Sequence, residues 1–432
     1  MRLIDEGSLA ALDGSRPADS LVAWVWRDGE LVLPEPLDVI DWSESDEAGD
    51  SVKVGQKLSL TVADPDGSLG AWQFEDSLSV AGAVLQVIYR VGGAGAVNFG
   101  WFRVISNEPT VAFDSRVIDE FGLDAPDSLN APHERRRYVT SGVVKLEAVD
   151  LTFNVDRDKL ESPQSPKSGA TVLSEFRRLT SAYFPTVVDA GVTDASVSSR
   201  LVFDKERLEA VQDLASRVNA RYRMGGDGEC HVYPVVSAPV WRVEPEVSLV
   251  SVSRKQSIDG LFNKWIVEGK DSKGGAPVRG SAVIESGPLR WGGPHGKAPD
   301  FYSSEMITTR VQADFYAAEL RDRFLASLAI ELAVETVPRP ELQAGDRVEV
   351  GCPVVAGHVA YFPGTITSIR RSGSTVPGGT SLTVTCSYSD VVNGLARTEW
   401  AKNIKGTLPA LTWDRMPGNW GQLPPTIWND LP

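Results

Sequence analysis

The sequence has few of the residues that perform chemistry, with three cysteines and four histidines among 432 residues. Cys230, Cys352 and Cys386 are an odd number, lie far apart and form no Cys-x-x-Cys pair, so we expect neither a disulfide framework nor a zinc site. The histidines form no His-Glu-x-x-His pair, and no Gly-x-Ser-x-Gly motif occurs. Cys230 and His231 are neighbours on a predicted strand, so their side chains point to opposite faces. The sequence therefore predicts no catalytic residue, no metal and no cofactor, and a protein that is not an enzyme.

Long apolar runs are also missing. No window approaches 18 uninterrupted apolar residues, so we predict no membrane span. The first twenty residues lack the apolar segment of a secretory signal, so we expect synthesis in a cytoplasm. The 43 Lys and Arg against 58 Asp and Glu give a net charge of −15. Such a chain is not expected to bind nucleic acid specifically through a broad basic face, because neutralising phosphates requires clustered Lys and Arg.

The acidic residues are concentrated near the N-terminus. Seven acids and no base occur between Glu35 and Asp50. Their spacing lacks the alternating Asp or Asn and the central Gly of a calcium loop. One interpretation is a solvated loop between strands. Another is a group of acids that face a channel.

The remaining composition predicts a multidomain, mainly β protein. Hydrophobic residues make up 42% of the chain, and its length suggests two to four domains. Leu58, Leu60 and Val62 alternate with polar residues as in a half-buried strand. The glycines at 92–95 lie between two β-rich runs, and a strand follows them, which favours a hairpin over a phosphate-binding loop. We predict a first β domain at residues 1–155 with an inserted loop region around 106–137.

Helical periodicity appears in the middle of the chain. Apolar residues recur at helical spacing from Val172 to Leu179, with Ser168 as the expected N-cap, and a second helix is predicted from Asp204. Residues 156–242 therefore form a predicted small α+β domain that begins near the Pro/Ser-rich stretch at 161–169. Residues 243–398 are β-rich again, with one long helix predicted from about Thr309 to Leu328.

The last part of the sequence, residues 399–432, has a different character. It contains the pattern Trp-x-x-Met/Leu-Pro three times. The prolines exclude a continuous helix or a central strand. Because three indoles at a regular spacing have little reason to be in solvent, we predict an extended arm that docks on another surface. The partner-binding residues expected in this arm are Trp413, Met416, Pro417, Trp420, Leu423, Pro424, Trp428, Leu431 and Pro432.

The serial order of these segments resembles the hub family of bacteriophage tails, also called baseplate hub or minor tail proteins. Four stretches carry the resemblance and cover most of residues 20–390. They are the opening β region through KLSLTVADPDG; VVKLEAVDLTFNVDRDKLESP with the following LSEFRRLTSAYF; RLEAVQDLASRVNARYRMGGDGECHVYP; and the long helix followed by VETVPRPELQAGDRVEV. None of these is an invariant signature, so the resemblance depends on their order.

The resemblance implies a structural virion protein. Family hubs form a homotrimeric ring at the distal end of the tail, where two tail-tube-like antiparallel β-barrel or sandwich domains per chain match a hexameric tube. The expected partners are the distal tail protein or tail tube, the tape measure protein and other minor tail proteins, after synthesis in a bacterial host cytoplasm. DNA only passes through the lumen during ejection, and acids there would repel it. The expected channel or rim acids are Asp41, Glu44, Asp46, Glu47 and Asp50.

Two alternatives stay open. One is the hexameric distal tail protein, which has one tube-like β domain per chain. The other is a carbohydrate-binding or glycan-cleaving β protein of the virion, suggested by the 12 tryptophans and the many acids. A glycan site requires exposed aromatic platforms in a cleft beside two carboxylates, whereas a hub buries aromatics at subunit contacts.

Overall fold

A computed structural model of the chain describes residues 1–13, 20–49, 52–92, 95–118, 134–235, 238–270, 277–355, 358–373 and 377–398. The chain divides into two compact units. Unit 1 comprises residues 1–251, 333–348 and 365–384, and unit 2 comprises 252–332, 349–364 and the residues from 385 onward. The division at 1–155, 156–242, 243–398 and 399–432 stays a prediction.

Unit 1 contains most of the strands. Its own elements are α1 (Glu6–Asp13), β1 (Ser20–Arg27), β2 (Glu30–Leu31), β3 (Val39–Glu47), β4 (Gln56–Ala63), β5 (Val84–Val91), β6 (Gly95–Ile118), β7 (Glu134–Asp150), α2 (Thr152–Arg157), α3 (Val172–Thr180), β8 (Thr186–Val188), α4 (Arg207–Arg217), β9 (Ala220–Met224), β10 (Cys230–Pro234) and β11 (Trp241–Val243). Five strands contribute residues to both units, namely β12 (Leu249–Lys255), β16 (Ala329–Thr336), β17 (Arg347–Val355), β18 (His358–Gly373) and β19 (Pro377–Ser387).

The main sheet of unit 1 has the strand order β19-β18-β3-β4-β7-β6-β5-β1-β2. Strands β18 to β2 along this path pair antiparallel. Leu58, Leu60 and Val62, which alternate with polar residues in the sequence, all point into one hydrophobic core. Their alternation therefore identifies the buried side of the sheet. Val144 and Leu146 of β7 join the same core.

The polar region predicted as an inserted loop around 106–137 is strand wherever the structure describes it. Strand β6 continues to Ile118, and β7 begins at Glu134, with Ile118 opposite Glu134. The expected loop is therefore not found at residues 106–118 and 134–137, whose polar sequence lacks apolar alternation and forms strand pairs regardless of it. Residues 119–133 lie outside the described residues, and the loop stays a prediction there.

A second hydrophobic core in unit 1 lies between α3, α4 and the three-stranded sheet β8-β10-β9. The two helices predicted here are present, but their starts differ from the prediction. Helix α3 is capped by Thr171 in a reciprocal capping box with Ser174, and not by Ser168. Helix α4 begins at Arg207 after Glu206, three residues later than expected.

Unit 2 contains the sheet β14-β13-β15 and two helices. Its elements are β13 (Lys264–Lys270), β14 (Pro277–Val283), β15 (Pro299–Ser303), α5 (Arg310–Ser327) and α6 (Tyr388–Arg397). Thr309 caps α5 in a capping box with Gln312, which confirms the predicted long helix to within a residue at its start. Ala313 and Ala317 are buried against the sheet, as the helical stripe predicted.

The predicted fold class, mainly β with a few helices, is confirmed. None of the described helices combines the length and the apolar character needed to span a membrane.

Candidate functional site: a polar sheet face and a buried charge cluster

Four of the five predicted channel acids lie on β3, and the strand separates them by its two-residue period. Asp41 is opposite Thr61 and is exposed, whereas Glu44 is opposite the core residue Leu58. Glu44 and Asp46 are 2% and 3% exposed. The expectation that these two carboxylates face a channel, and the interpretation of the segment as a solvated loop, are both wrong, because alternate residues of a strand point to opposite sides.

Asp41 and Glu47 remain on the outward side of the strand, where Glu47 is half-buried. Asp50 and all nine predicted arm residues lie outside the described residues. Those residues are Trp413, Met416, Pro417, Trp420, Leu423, Pro424, Trp428, Leu431 and Pro432. Their roles stay predictions.

On their outward sides, the neighbouring strands β18, β3, β4, β7 and β6 present a largely polar surface, which we call the polar face. Ile105 and Val143 are exposed apolar residues within it. Three cross-strand rows of this face are Ser372–Ser43–Ser59–Glu147–Ser106, Arg370–Ser45–Lys57 and Asp41–Thr61–Lys145–Glu108. These rows contain acidic and basic side chains together with Ser and Thr hydroxyl groups. A groove of about 450 Å³ lies on this face.

The inward side of β3 contributes to a buried charge cluster. The Glu44 carboxylate accepts a 2.6 Å bond from the Nη2 atom of Arg2 at one oxygen and a 2.6 Å bond from the Nη1 atom of Arg371 at the other. Burial acts to raise the pKa of Glu44, but the charges and hydrogen bonds of the two guanidinium groups outweigh it and hold the pKa below its ordinary value. Both arginines also lie over the ring of Phe99, at 4.4 and 5.6 Å from its centroid.

The same cluster holds residues 339–346 against the sheet. Arg2 donates to the carbonyl of Pro340 at 3.0 Å. Arg371 donates to the carbonyl of Leu342 at 2.6 Å. The backbone N–H of Ala344 donates to Asp46 at 3.0 Å. Burial, together with the neighbouring charge of Glu44, raises the pKa of Asp46 to about 6.

A second ion pair completes the cluster. Asp346 accepts a 2.9 Å bond from Arg223 of β9 and a 2.9 Å bond from the backbone N–H of Gln343. Burial acts to raise the pKa of Asp346, but Arg223 keeps it below its ordinary value. Gly345, between these residues, has φ +89°, and an added Cβ would lie 2.1 Å from the Tyr233 hydroxyl oxygen. The charge cluster, composed of Arg2, Glu44, Asp46, Arg223, Asp346 and Arg371, thus joins segments distant in sequence.

The loop between β4 and β5 displays two aromatic side chains. Trp72 and Phe74 are 92% and 71% exposed. The guanidinium of Arg27 donates to the carbonyls of Phe74 and, at 2.6 Å, Glu75. The Asp76 carboxylate accepts bonds from the N–H groups of Trp72 at 2.6 Å and Gln73 at 2.8 Å. This hydrogen-bonded loop was missed in the sequence, where AWQF without a clear period was the only available signal.

Solved structures with a similar fold include tail proteins of prophages. The 43 kDa tail protein of prophage MuSo2 from Shewanella oneidensis is similar with a TM-score of 0.53 and 12% identity, over 84% of this chain and 98% of that protein. The chain has the fold of a phage tail protein.

Other structures similar to this tail-protein fold include a tail protein from Neisseria meningitidis, with a TM-score of 0.49 and 14% identity over 85% of this chain and 96% of that one. A prophage tail protein from Listeria monocytogenes has a TM-score of 0.43 and 12% identity, over 90% and 100% of the two chains. No protein-family model and no curated protein matches the sequence. The resemblance inferred from the order of segments is thereby confirmed at the level of the fold.

Proposed function

We propose that this chain is a structural protein of a phage virion, a distal tail hub that joins the tail tube to the tail tip as a homotrimeric ring. The observation that carries the proposal is the shared fold with the MuSo2 tail protein, which extends over 98% of that protein. Each chain of such a ring contributes two β modules, so three chains match a sixfold tube. The partners are other tail proteins, among them the distal tail or tube protein and the tape measure protein.

The polar face is the surface that we assign to the DNA channel. An antiparallel sheet commonly has one side packed on the core and the other exposed to solvent. A DNA channel requires a solvent-exposed side that extends across several strands. Hydroxyl groups and charges of both signs, such as Lys57 and Glu147, keep this face hydrated without a broad basic patch that would retain phosphates. Asp41 and Glu47 are the acids of the predicted set that can repel DNA there.

The exposed loop with Trp72 and Phe74 supports assembly with another protein. Hydrogen bonds already hold the backbone of this loop, so it loses little conformational freedom on binding. Exposed aromatic side chains on such a loop are typical of the residues that contribute most of the binding energy at protein interfaces. The C-terminal arm at 399–432 is proposed to provide a second attachment through its repeated Trp and Pro residues.

The mass of the purified assembly tests the proposal. A threefold mass supports the hub, a sixfold mass supports the hexameric distal tail protein, and a monomer that cleaves glycan refutes both.

Cysteine labelling tests the channel assignment, because the three native cysteines are buried. In the assembled ring, Ser43→Cys should react with a small maleimide but not with a maleimide attached to a folded protein, whereas the free chain reacts with both. Trp72→Cys should be protected from both reagents once the partner is bound. Equal reaction of Ser43→Cys with the large reagent in the free and assembled states would place the polar face outside the channel.

Truncation after about residue 405 tests the arm. The shortened chain should keep its thermal unfolding temperature but bind a neighbouring tail protein more weakly. Binding as tight as that of the full chain would contradict the docking role.

A further inference from the structure

The tip of the β9–β10 hairpin brings together a histidine and three carboxylates. Asp227 lies in the turn, Glu229 directly precedes β10, and His231 is the second residue of that strand. Ligand atoms of Asp227, Glu229 and His231 lie within 4.8 Å of one another. Asp189 directly follows β8, which pairs parallel with β10 and places Val187 opposite His231. The four residues therefore meet through the sheet, although Asp189 is distant in sequence.

A neutral imidazole at His231 cannot donate to both of the carboxylates that flank it. Nδ1 of His231 is 3.0 Å from Asp189, and Nε2 is 3.0 Å from Asp227. A neutral imidazole carries one N–H, so a ring that donates from Nδ1 to Asp189 presents a lone pair to the Asp227 carboxylate. Two acceptors at this distance repel each other unless a cation lies between them. That cation is either a second ring proton or a metal ion.

The turn holds Asp227 in place for such a role. One oxygen of Asp227 accepts a 3.0 Å bond from the N–H of Glu229, which leaves the other oxygen to face His231. The N–H of Gly225 donates to the carbonyl of Glu229 at 2.8 Å and closes the hairpin. An added Cβ at Gly226 would lie 2.2 Å from the carbonyl oxygen of Asn98, so the turn packs directly on β6. The ligand atoms of Asp227 and His231 are therefore held in place before any ion binds.

We propose that Asp227, Glu229 and His231 bind one divalent transition-metal ion, for which Zn²⁺ is the best match. One imidazole and two carboxylates are donors that Zn²⁺ accepts, and two ligands of a tetrahedral zinc are roughly 3.3 Å apart, close to the observed 3.0 Å between Nε2 and the Asp227 oxygen. Asp189 is a positioning residue that holds the proton on Nδ1 and so keeps Nε2 free for the metal. A fourth coordination position is left for water or for a carboxylate of a neighbouring chain.

The test is calorimetric titration of the metal-free full chain with ZnCl₂ at neutral pH. We expect one ion per chain, and a loss of at least about tenfold in affinity in Asp227→Asn and in His231→Gln. His295→Gln and Asp213→Asn, which change a histidine and an aspartate elsewhere, should bind as the unaltered chain does. Circular dichroism of each variant verifies that it is folded.

Cobalt substitution separates the positioning role of Asp189 from that of a ligand. Asp189→Asn should weaken binding by about 10- to 100-fold while keeping the Co²⁺ absorption spectrum of the unaltered chain, because the ligand set is unchanged. Undiminished zinc binding in both Asp227→Asn and His231→Gln would overturn the site. So would the absence of zinc binding together with NMR signals for protons on both ring nitrogens of His231, which would identify the cation as a proton.

Discussion

Replacing Glu44 with glutamine tests whether the charge cluster stabilises unit 1. The side chains are nearly the same size, so the change removes the negative charge and keeps the shape. A glutamine oxygen can still accept a bond from Arg2 or Arg371. Its amide NH₂ then faces the other guanidinium, and because both groups are donors they form no hydrogen bond. The substitution therefore removes the carboxylate charge that two buried guanidinium groups share.

The expected cost follows from burial and geometry. Glu44 accepts two 2.6 Å bonds from charged groups and is 2% exposed. Removing one partner of a buried ion pair costs about 3–5 kcal/mol. Domains have unfolding free energies of roughly 5–15 kcal/mol, so Glu44→Gln should remove a large part of the stability of unit 1.

Urea unfolding followed by tryptophan fluorescence measures this loss. Trp42 contributes to this signal together with the other tryptophans, and its ring centroid lies 5.9 Å from that of Phe99, over which both arginines lie. Glu147→Gln on the polar face is the matched control and should cost less than about 0.5 kcal/mol, because its side chain is exposed. A cost below about 1 kcal/mol for Glu44→Gln would refute the reasoning, since the pair would then contribute no more than a surface pair.

Three further predictions concern single residues. Because burial raises the pKa of Asp46 to about 6 from 3.8, the folded state holds that proton more tightly, and this group should lower stability by about 2 kcal/mol as pH rises from 4 to 7; urea midpoints of Asp46→Asn should lack this component. Gly345→Ala should lower the unfolding free energy by more than about 1 kcal/mol, and by more than Gly169→Ala, whose site has a positive φ but open space. Trp72→Ala should leave the melting temperature unchanged and weaken co-purification with partner tail proteins.

Much of the secondary structure follows from local patterns. The alternation of Leu58, Leu60 and Val62 and the capping residues around Thr309 each depend on interactions within a few residues, so they are readable without the fold. Local patterns did not predict the strands at residues 106–118 and 134–137. Their sequence has no clear period, and their pairing partners are distant in sequence.

The candidate sites depend on contacts that no local pattern encodes. The sequence by itself determined the mainly β character of the chain and its helical segments. Only the tertiary structure decided that Glu44 lies between Arg2 and Arg371, and that Asp189 reaches His231. The physical reason is the distance along the sequence over which each interaction acts. Propensity and periodicity act over a few residues, whereas burial and ion pairing depend on which distant strands become neighbours in the sheet.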